Sequence, residues 1–255
     1  MSIERYKYYS DDAVTIYNGD CLEIIPLLPE LDMVFTDPPY GLDYNNGDLA
    51  SLWEAAFGGK RENMGTRPIE NDGAEDAIRV FELMLTQVKT KLRPGSCCCC
   101  CCGGGGPKPL FAEWTLLMDR VIGFKQAVVW DKGGLGMGIH FRRSYEFVLI
   151  AQKGAPCRVW NGGKTTSNVW SIPKIIPRGE SPGDAGQHPT EKPTELASKA
   201  IHLFTNPGDL VLDPFMGHGS TIEAAKISGR KAIGIELNEK YCEVAALKCS
   251  QEVLI

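Results

Sequence analysis

Short apolar runs alternate with segments of helical periodicity along most of the chain, and this alternation predicts an α/β protein. Runs typical of buried strands lie at residues 13–17, 31–36, 97–102, 127–130, 146–151, 210–212 and 231–235. The intervening segments predict helices over residues 21–28, 74–91, 109–122, 193–205 and 220–227, and from residue 240 onward. Such a succession favours a doubly wound, mainly parallel sheet that binds its ligands at the carboxyl ends of the strands.

Two segments depart from this alternation. Residues 41–72 are rich in Gly and Asn with scattered charge, and this length is unusual for a loop within a compact domain, so we predict a mobile flap over a site. Residues 152–187 are rich in Pro, Gly, Ser and Thr and have no clear period. Basic residues such as Arg158 alternate there with Trp160 and Trp170, which suits phosphate contacts and base stacking, or else a plain surface excursion.

Length and charge narrow the class of protein only slightly. A chain of 255 residues suffices for one α/β domain, or for a domain with a small insertion. The formal net charge is −5, so no global basic surface indicates a nucleic-acid partner. Residues 107–192, however, contain 12 Lys and Arg against 7 Asp and Glu. That region could face a polyanion, although an ordinary solvated surface also fits the excess.

The start of the chain has no apolar core of a signal peptide, and no apolar run approaches the length of about 18 residues that a membrane span needs. We therefore expect a soluble intracellular protein whose cysteines are reduced. Six of the ten cysteines, residues 97–102, are consecutive. Neighbours in a strand point to opposite faces, so this run cannot bring four ligands onto one ion. It predicts a buried strand and no metal, with metal or redox chemistry as the alternative.

The first candidate for chemistry follows the apolar run at 31–36. Asp37, Pro38, Pro39 and Tyr40 stand where this strand ends in a loop. Prolines have no N–H to donate to a sheet, so the carbonyl groups around them are available as acceptors. A carboxylate, rigid carbonyls and an aromatic face can hold a flat ring that has an amino group. An ordinary Asp-Pro-Pro turn is the simpler alternative.

The second candidate is a Gly-rich turn between a predicted strand and a predicted helix. It contains Asp213, Pro214, Phe215, Gly217, Gly219, Ser220 and Thr221. Glu236 ends the next predicted strand, 23 positions after Asp213. A Gly-rich turn followed by an acid about 20 residues later is the general arrangement for a nucleoside ribose. The third glycine of a dinucleotide fingerprint is missing, which disfavours an NAD-dependent dehydrogenase.

Together and in this order, the two motifs resemble the amino-methyltransferases of DNA, in particular their permuted β class. The resemblance covers nearly the whole chain and implies a single domain over 1–255 with a Rossmann-like methyltransferase fold and circularly permuted motifs. It implies S-adenosylmethionine as cofactor and double-stranded DNA as partner, with methyl transfer by direct attack of the exocyclic N6 amine of a flipped adenine. Asp at the first motif position is the more usual N6 form, whereas Ser there is typical of N4-cytosine enzymes.

The resemblance also implies roles for individual residues. Asp37 and the Pro38 carbonyl region would hold the amino protons, and Tyr40 would stack on the flipped base. The predicted cofactor residues are Asp20, Cys21, Asp37, His188, Thr190, Lys192, Asp213, Pro214, Phe215, Gly217, Gly219, Ser220, Thr221 and Glu236. Among them, Glu236 would bind the ribose, Lys192 the cofactor's carboxylate, and Asp20 the adenine end. Residues 152–187 would be a short target-recognition insertion.

Several alternatives remain at this point. An N4-cytosine methyltransferase would use the same site. Methyltransferases of RNA or of protein amides usually have Asn at the first motif position and lack the permuted order. A catalytically dead DNA-binding relative would keep the fold alone. The resemblance implies a cytoplasmic protein of bacterial or phage origin, and leaves open both a homodimer and a restriction endonuclease counterpart.

Overall fold

The computed structural model describes residues 2–39, 74–103, 110–135, 141–175 and 192–250, with side chains in the second range described from residue 77. A nine-stranded sheet organises them, in the order β1-β2-β9-β8-β3-β4-β6-β5-β7. The strands are β1 (Lys7–Ser10), β2 (Val14–Asn18), β3 (Leu31–Thr36), β4 (Leu92–Cys102), β5 (Phe124–Asp131), β6 (Tyr145–Gln152), β7 (Val169–Ser171), β8 (Leu210–Asp213) and β9 (Lys231–Glu236). The helices are α1 (Cys21–Ile24), α2 (Ala74–Lys91), α3 (Phe111–Val121), α4 (Thr194–Phe204), α5 (Ser220–Ile227) and α6 (Glu239–Ser250).

Five neighbouring strands, β2, β9, β8, β3 and β4, run parallel. The N-terminal strand β2 pairs with the C-terminal strand β9, so the two ends of the sequence meet within one sheet. Beyond β4, strand β6 runs antiparallel to both β4 and β5, and β1 is antiparallel at the opposite edge. The predicted mainly parallel α/β sheet is confirmed. Within the described ranges, no helix has the length and apolar character needed to cross a membrane.

The cysteine run forms most of β4, in the middle of the sheet. Cys97, Cys99 and Cys101 pack into the hydrophobic core on one face, and Cys98, Cys100 and Cys102 pack into the core on the other. Burial raises the pKa of the Cys102 thiol to about 12, so this side chain stays a neutral, small apolar group. The prediction of a buried core strand is confirmed.

Most predicted elements match the structure within a few residues, and the exceptions have local causes. The helix predicted over 21–28 ends at Ile24 and continues as a 3-10 turn, Ile25–Leu27, which includes Pro26. Strand β4 begins at Leu92 rather than at the cysteines, because Leu92 already pairs with Leu31 of β3. The register then shifts before Cys97 pairs with Met33, and Gly95 within the shifted segment is left-handed at φ +81°. The short strands β1 and β7 were not predicted.

The two irregular segments differ in how far the structure describes them. The predicted flap, 41–72, lies outside the described residues, as do residues 176–187 of the predicted recognition insertion. The first part of that insertion packs at the amino ends of the strands, where Arg158 lies 2.7 Å from the carboxylate of Asp32 and 3.4 Å from that of Asp209. Trp170 is buried in the core. The interpretation of Arg158 as a phosphate contact and of Trp170 as a stacking surface is therefore wrong.

Candidate active site

The carboxyl ends of the parallel strands lie side by side at one end of the sheet, which we name the active edge. The two sequence motifs meet there too. Asp37 follows β3, and Asp213 and Glu236 are the last residues of β8 and β9. Because β8 lies between β9 and β3, these three carboxylates stand on adjacent strands. This edge is where open α/β sheets bind their ligands.

Asp37 is held by a buried lysine from far along the chain. The Nζ atom of Lys192 donates to Asp37 Oδ2 at 2.8 Å, across 155 positions of sequence. Lys192 stands two residues before α4 and is 9 % exposed. Pro38, next to Asp37, is buried, so the turn that presents this carboxylate is fixed against the core.

A second carboxylate shares Lys192. Glu146 Oε2 lies 3.6 Å from Lys192 Nζ, and Glu146 Oε1 accepts from Lys132 Nζ at 2.9 Å. Burial opposes the ionisation of Glu146, but Lys192 and Lys132 outweigh it and lower its pKa. Burial also opposes the charge on Lys192, but Asp37 and Glu146 together raise its pKa. The structure thus joins four alternating charges, Asp37, Lys192, Glu146 and Lys132.

Glu146 and Lys132 were not among the predicted site residues. Glu146 belongs to the antiparallel strand β6, so it is the start of this strand, not its end, that lies at the active edge. Lys132 directly follows the adjacent strand β5. A charged residue at the first position of a predicted strand, or just beyond its end, is a weak signal, and only the strand order makes it informative.

Asp213 lies beneath the site rather than open to it. Its Oδ1 accepts from Thr36 Oγ1 at 2.8 Å and from the Phe215 N–H at 3.1 Å. Burial raises the pKa of Asp213 to about 6, against the lowering effect of hydrogen bonds from Thr221 and Thr36. Asp213 therefore ties the end of β3 to the Gly-rich turn, and Pro214 beside it is also buried.

The two glycines of the turn have different reasons for being glycine. Gly219 has a left-handed backbone at φ +84°, and a Cβ there would lie 2.9 Å from the Cβ of Ala245 in α6. Gly217 is also left-handed, at φ +52°, but a Cβ there would meet none of the described residues within 4 Å. Gly219 thus allows the turn to pack against α6 before α5 begins at Ser220, whereas Gly217 leaves open space above the turn.

Glu236 connects the turn to the end of β9. Its Oε2 accepts from the Gly217 N–H and its Oε1 from the Asn238 N–H, both at 2.9 Å. The N–H of Gly19 donates to the Glu236 carbonyl at 3.0 Å, so the turn after β2 lies beside it. Asp20, in that turn, is exposed and caps α1 by accepting from the Leu22 N–H at 2.8 Å.

The remaining predicted residues fall into two groups. Described ones lie where the motifs place them: Cys21 is buried in the first turn of α1, Pro39 and Phe215 are half-buried, and Ser220 and Thr221 open α5. Tyr40, His188 and Thr190 lie outside the described residues. The structure thus unites Asp37, Lys192, Asp213, Gly217 and Glu236 at one edge.

Similarity to known proteins agrees with this arrangement. The family model described as DNA methylase, for N6 and N4 enzymes, matches residues 31–247. The DNA adenine methyltransferase YhdJ of Escherichia coli K12 is 27% identical over 270 residues, which cover 92% of this chain and 82% of that protein.

Two solved structures share the fold. The complex of M1.HpyAVI with S-adenosylmethionine has a TM-score of 0.64 at 24% identity, and covers 93% of this chain and 100% of that one. The PvuII cytosine-N4-specific DNA methyltransferase has a TM-score of 0.71 at 20% identity, over 97% of this chain and 89% of that one. The sequence match over residues 31–247 spans both motifs and all the strands of the active edge except β2. On that match, the chain belongs to the N6/N4 DNA methylase family.

Proposed function

We propose that this protein transfers a methyl group from S-adenosylmethionine to the exocyclic N6 amine of adenine in double-stranded DNA. The observation that supports it most is the Asp37 carboxylate, fixed by Lys192 at 2.8 Å beside the Gly-rich turn. The relative YhdJ is named a DNA adenine methyltransferase. The Asp at the first position of the proline motif favours adenine over cytosine.

Asp37 works by accepting the protons of a weak nucleophile. The lone pair of an exocyclic amine is delocalised into the ring, so attack requires that it be localised on nitrogen. Asp37 and the Pro38 carbonyl accept hydrogen bonds from the two N–H groups of the amine, and these bonds strengthen as positive charge develops on nitrogen. The base must leave the duplex to reach this edge, and Tyr40 is proposed to stack on it.

Glu146 keeps Asp37 effective as an acceptor. A carboxylate paired with one buried ammonium would lose much of its negative character to that ion. Here Lys192 is divided between Asp37 and Glu146, so its charge is shared by two anions. Asp37 therefore remains negatively polarised while its position stays fixed, which is the preorganisation that the reaction needs.

The residues of the Gly-rich turn fit a nucleoside cofactor. Glu236, at the end of β9, offers carboxylate oxygens as acceptors for ribose hydroxyls, and its contacts with the Gly217 and Asn238 N–H groups fix their position. No residue in the described part of the chain would contact a Cβ at Gly217, which leaves room there for a ligand. Asp20 and Cys21 would line the adenine end, with Phe215, Gly219, Ser220, Thr221, His188 and Thr190 toward the methionine part. When bound, S-adenosylmethionine supplies an electrophilic methyl group on a sulfonium.

Some finer parts of the proposal stay predictions. The pairing of β2 with β9 supports the permuted β-class order, since it joins both ends of the sequence at the cofactor edge. The single domain with a recognition insertion at 152–187, a homodimer, a restriction endonuclease counterpart and a cytoplasmic location are likewise proposed. Lys192 at the cofactor's carboxylate stays a prediction too, and would compete with Asp37 for the same ammonium.

The test is transfer of labelled methyl from S-adenosylmethionine to unmethylated plasmid DNA, followed by nucleoside analysis. We expect N6-methyladenine. The Asp37→Ala variant is expected to lose activity by about 100-fold or more, as for other preorganised groups, with cofactor affinity largely kept. Asp12→Ala, at an exposed carboxylate, is the matched control.

Three outcomes would contradict parts of the proposal. Comparable activity in Asp37→Ala would remove its assigned role. N4-methylcytosine in place of N6-methyladenine would keep the site and correct the base. Cofactor binding without transfer to DNA would redirect the search to RNA or protein amides.

A further inference from the structure

An exposed surface lies beside the Asp37 edge and takes no part in the chemistry above. We name it the hairpin rim, and it consists of Phe141, Arg142, Arg143, Tyr145, Lys174 and Ile175. Among its apolar members, Phe141 is 89 % exposed, Tyr145 45 % and Ile175 44 %. Single exposed apolar residues are common on proteins. An almost fully exposed Phe beside two arginines in a chain of net negative charge is a more specific arrangement.

Backbone pairing fixes the hairpin rim near the catalytic carboxylate. The Lys132 N–H donates to the Ser144 carbonyl at 2.9 Å, and the Lys174 N–H donates to the Lys132 carbonyl at 3.4 Å, so the rim segments leave the sheet together. The next residue of β6 after Tyr145 is Glu146, which shares Lys192 with Asp37. Phe141 is five residues from Glu146, hence within about 17 Å of it even if fully extended.

The charge of the rim suits a polyanion. Its three charged members are all basic. Glu146, the acid next to Tyr145 in β6, is shared between Lys132 and Lys192. Proteins unstack and bend a duplex by inserting an apolar side chain between bases while neighbouring basic side chains bind the phosphates.

We propose that the hairpin rim receives duplex DNA and that Phe141 fills the space which the extruded adenine leaves in the base stack, while Arg142 and Arg143 bind the flanking phosphates. The proposal rests on the proposed function, because it needs DNA as substrate. Duplex DNA is favoured as occupant by the charge of the rim and by its continuity with Asp37. Arg158 and Trp170, in the first part of the insertion expected to read DNA, serve the amino ends and the core of the sheet instead.

The role of Phe141 can be separated from a structural one by the choice of substrate. Extrusion costs least when the target base is already unpaired, so a duplex with an abasic site opposite the target adenine should not need the wedge. The target sequence is first mapped by wild-type methylation of plasmid DNA and placed in a short duplex. The variants are Phe141→Ala, Phe141→Trp and the control Leu116→Ala, at a residue of α3 that is 69 % exposed.

Phe141→Ala is expected to lower kcat/KM on the paired duplex by about ten-fold or more, the order found for loss of base–aromatic stacking. On the abasic duplex it should recover to within about three-fold of wild type, and Phe141→Trp should stay active on both. Equal rates for Phe141→Ala and Leu116→Ala on the paired duplex would overturn the assignment. An equal loss on both duplexes would also overturn it, because a wedge acts only where a base must be extruded.

The arginines are tested by salt dependence. Each phosphate contact adds about 0.9 to the slope of log affinity against log salt. Arg142→Gln with Arg143→Gln is therefore expected to reduce that slope for duplex binding by about 2. The control double variant, Arg79→Gln with Arg120→Gln on the exposed faces of α2 and α3, should leave the slope unchanged. An unchanged slope in the rim variant refutes the phosphate contacts, whereas absence of wild-type transfer to DNA would refute the proposed function itself.

Discussion

Replacing Lys192 with Met should strongly destabilise the protein, because this lysine contacts two carboxylates from distant parts of the chain. Lys192 is 9 % exposed, and its Nζ atom lies 2.8 Å from Asp37 Oδ2 and 3.6 Å from Glu146 Oε2. Removing one partner of a buried ion pair leaves the other charge poorly compensated and costs about 3–5 kcal/mol. Glu146 keeps Lys132 at 2.9 Å, so the loss falls mainly on Asp37. For a chain of this length the midpoint of thermal unfolding should fall by roughly 6 to 20 °C.

The pH dependence gives this prediction a second signature. The raised pKa of Lys192 means that its contribution is fully present below its unfolded value of about 10.4, and is lost only as pH rises through the folded value. The lowered pKa of Glu146 means that its contribution is present above about 4.3 and is lost as pH falls through the folded value. The difference in unfolding free energy between wild type and Lys192→Met should therefore be widest near neutral pH and shrink below about pH 4.

Urea unfolding at pH 7 and at about pH 3, followed by circular dichroism, measures both quantities. Lys7→Met is the matched control, because the Lys7–Glu4 pair has a similar distance of 2.7 Å but is exposed, with side-chain exposures of 36% and 64%. Such pairs contribute about 0–1 kcal/mol. If Lys192→Met lost no more than this control at pH 7, or lost equally at both pH values, the buried network would not have the energetic weight argued here.

Two further variants test the cofactor side. Glu236→Gln is expected to weaken S-adenosylmethionine binding about ten-fold or more, because hydrogen bonds to a charged acceptor contribute about 1.5–3 kcal/mol. Isothermal titration calorimetry measures the dissociation constant, with Glu239→Gln at an exposed glutamate as the control. An unchanged dissociation constant would move the ribose site elsewhere. Burial raises the pKa of Asp213 to about 6, so its stabilising contribution is present below about pH 4 and declines as pH rises through 6. Asp213→Asn keeps an acceptor for Thr36 and should be at least as stable as wild type at pH 7; a loss larger at pH 7 than at pH 4 would contradict the raised pKa.

Local sequence was enough to predict the parts of the site that depend on strand ends. Asp37, Asp213 and Glu236 each follow or end an apolar run, and parallel strands bring such positions to one edge. The cysteine run was predicted as a core strand of small apolar residues. In β4, alternate cysteines pack into the hydrophobic cores on the two faces of the sheet. Both inferences use only the period of a strand and its direction.

The order of the strands, by contrast, is decided by packing over long distances. Strand β6 lies between β4 and β5 and runs against both, so the start of β6 stands at the active edge. No local pattern distinguishes it from a parallel strand, whose start would lie at the opposite end. Glu146 was therefore missed for the same reason that Arg158 was misassigned. Composition indicates what a side chain can do, whereas topology decides at which end of the sheet it can do it.

Lys192 illustrates how the two levels combine in the mechanism. The family resemblance implied that Lys192 binds the cofactor's carboxylate, and in the structure Lys192 contacts Asp37 and Glu146. An ammonium bound to Asp37 alone would oppose the positive charge that develops on the attacking nitrogen. Sharing that ammonium with Glu146, which is itself balanced by Lys132, limits this opposition without releasing Asp37. Glu146, which the sequence analysis did not place at the site, is thus the residue that would make the proposed catalytic carboxylate of Asp37 compatible with its own counterion.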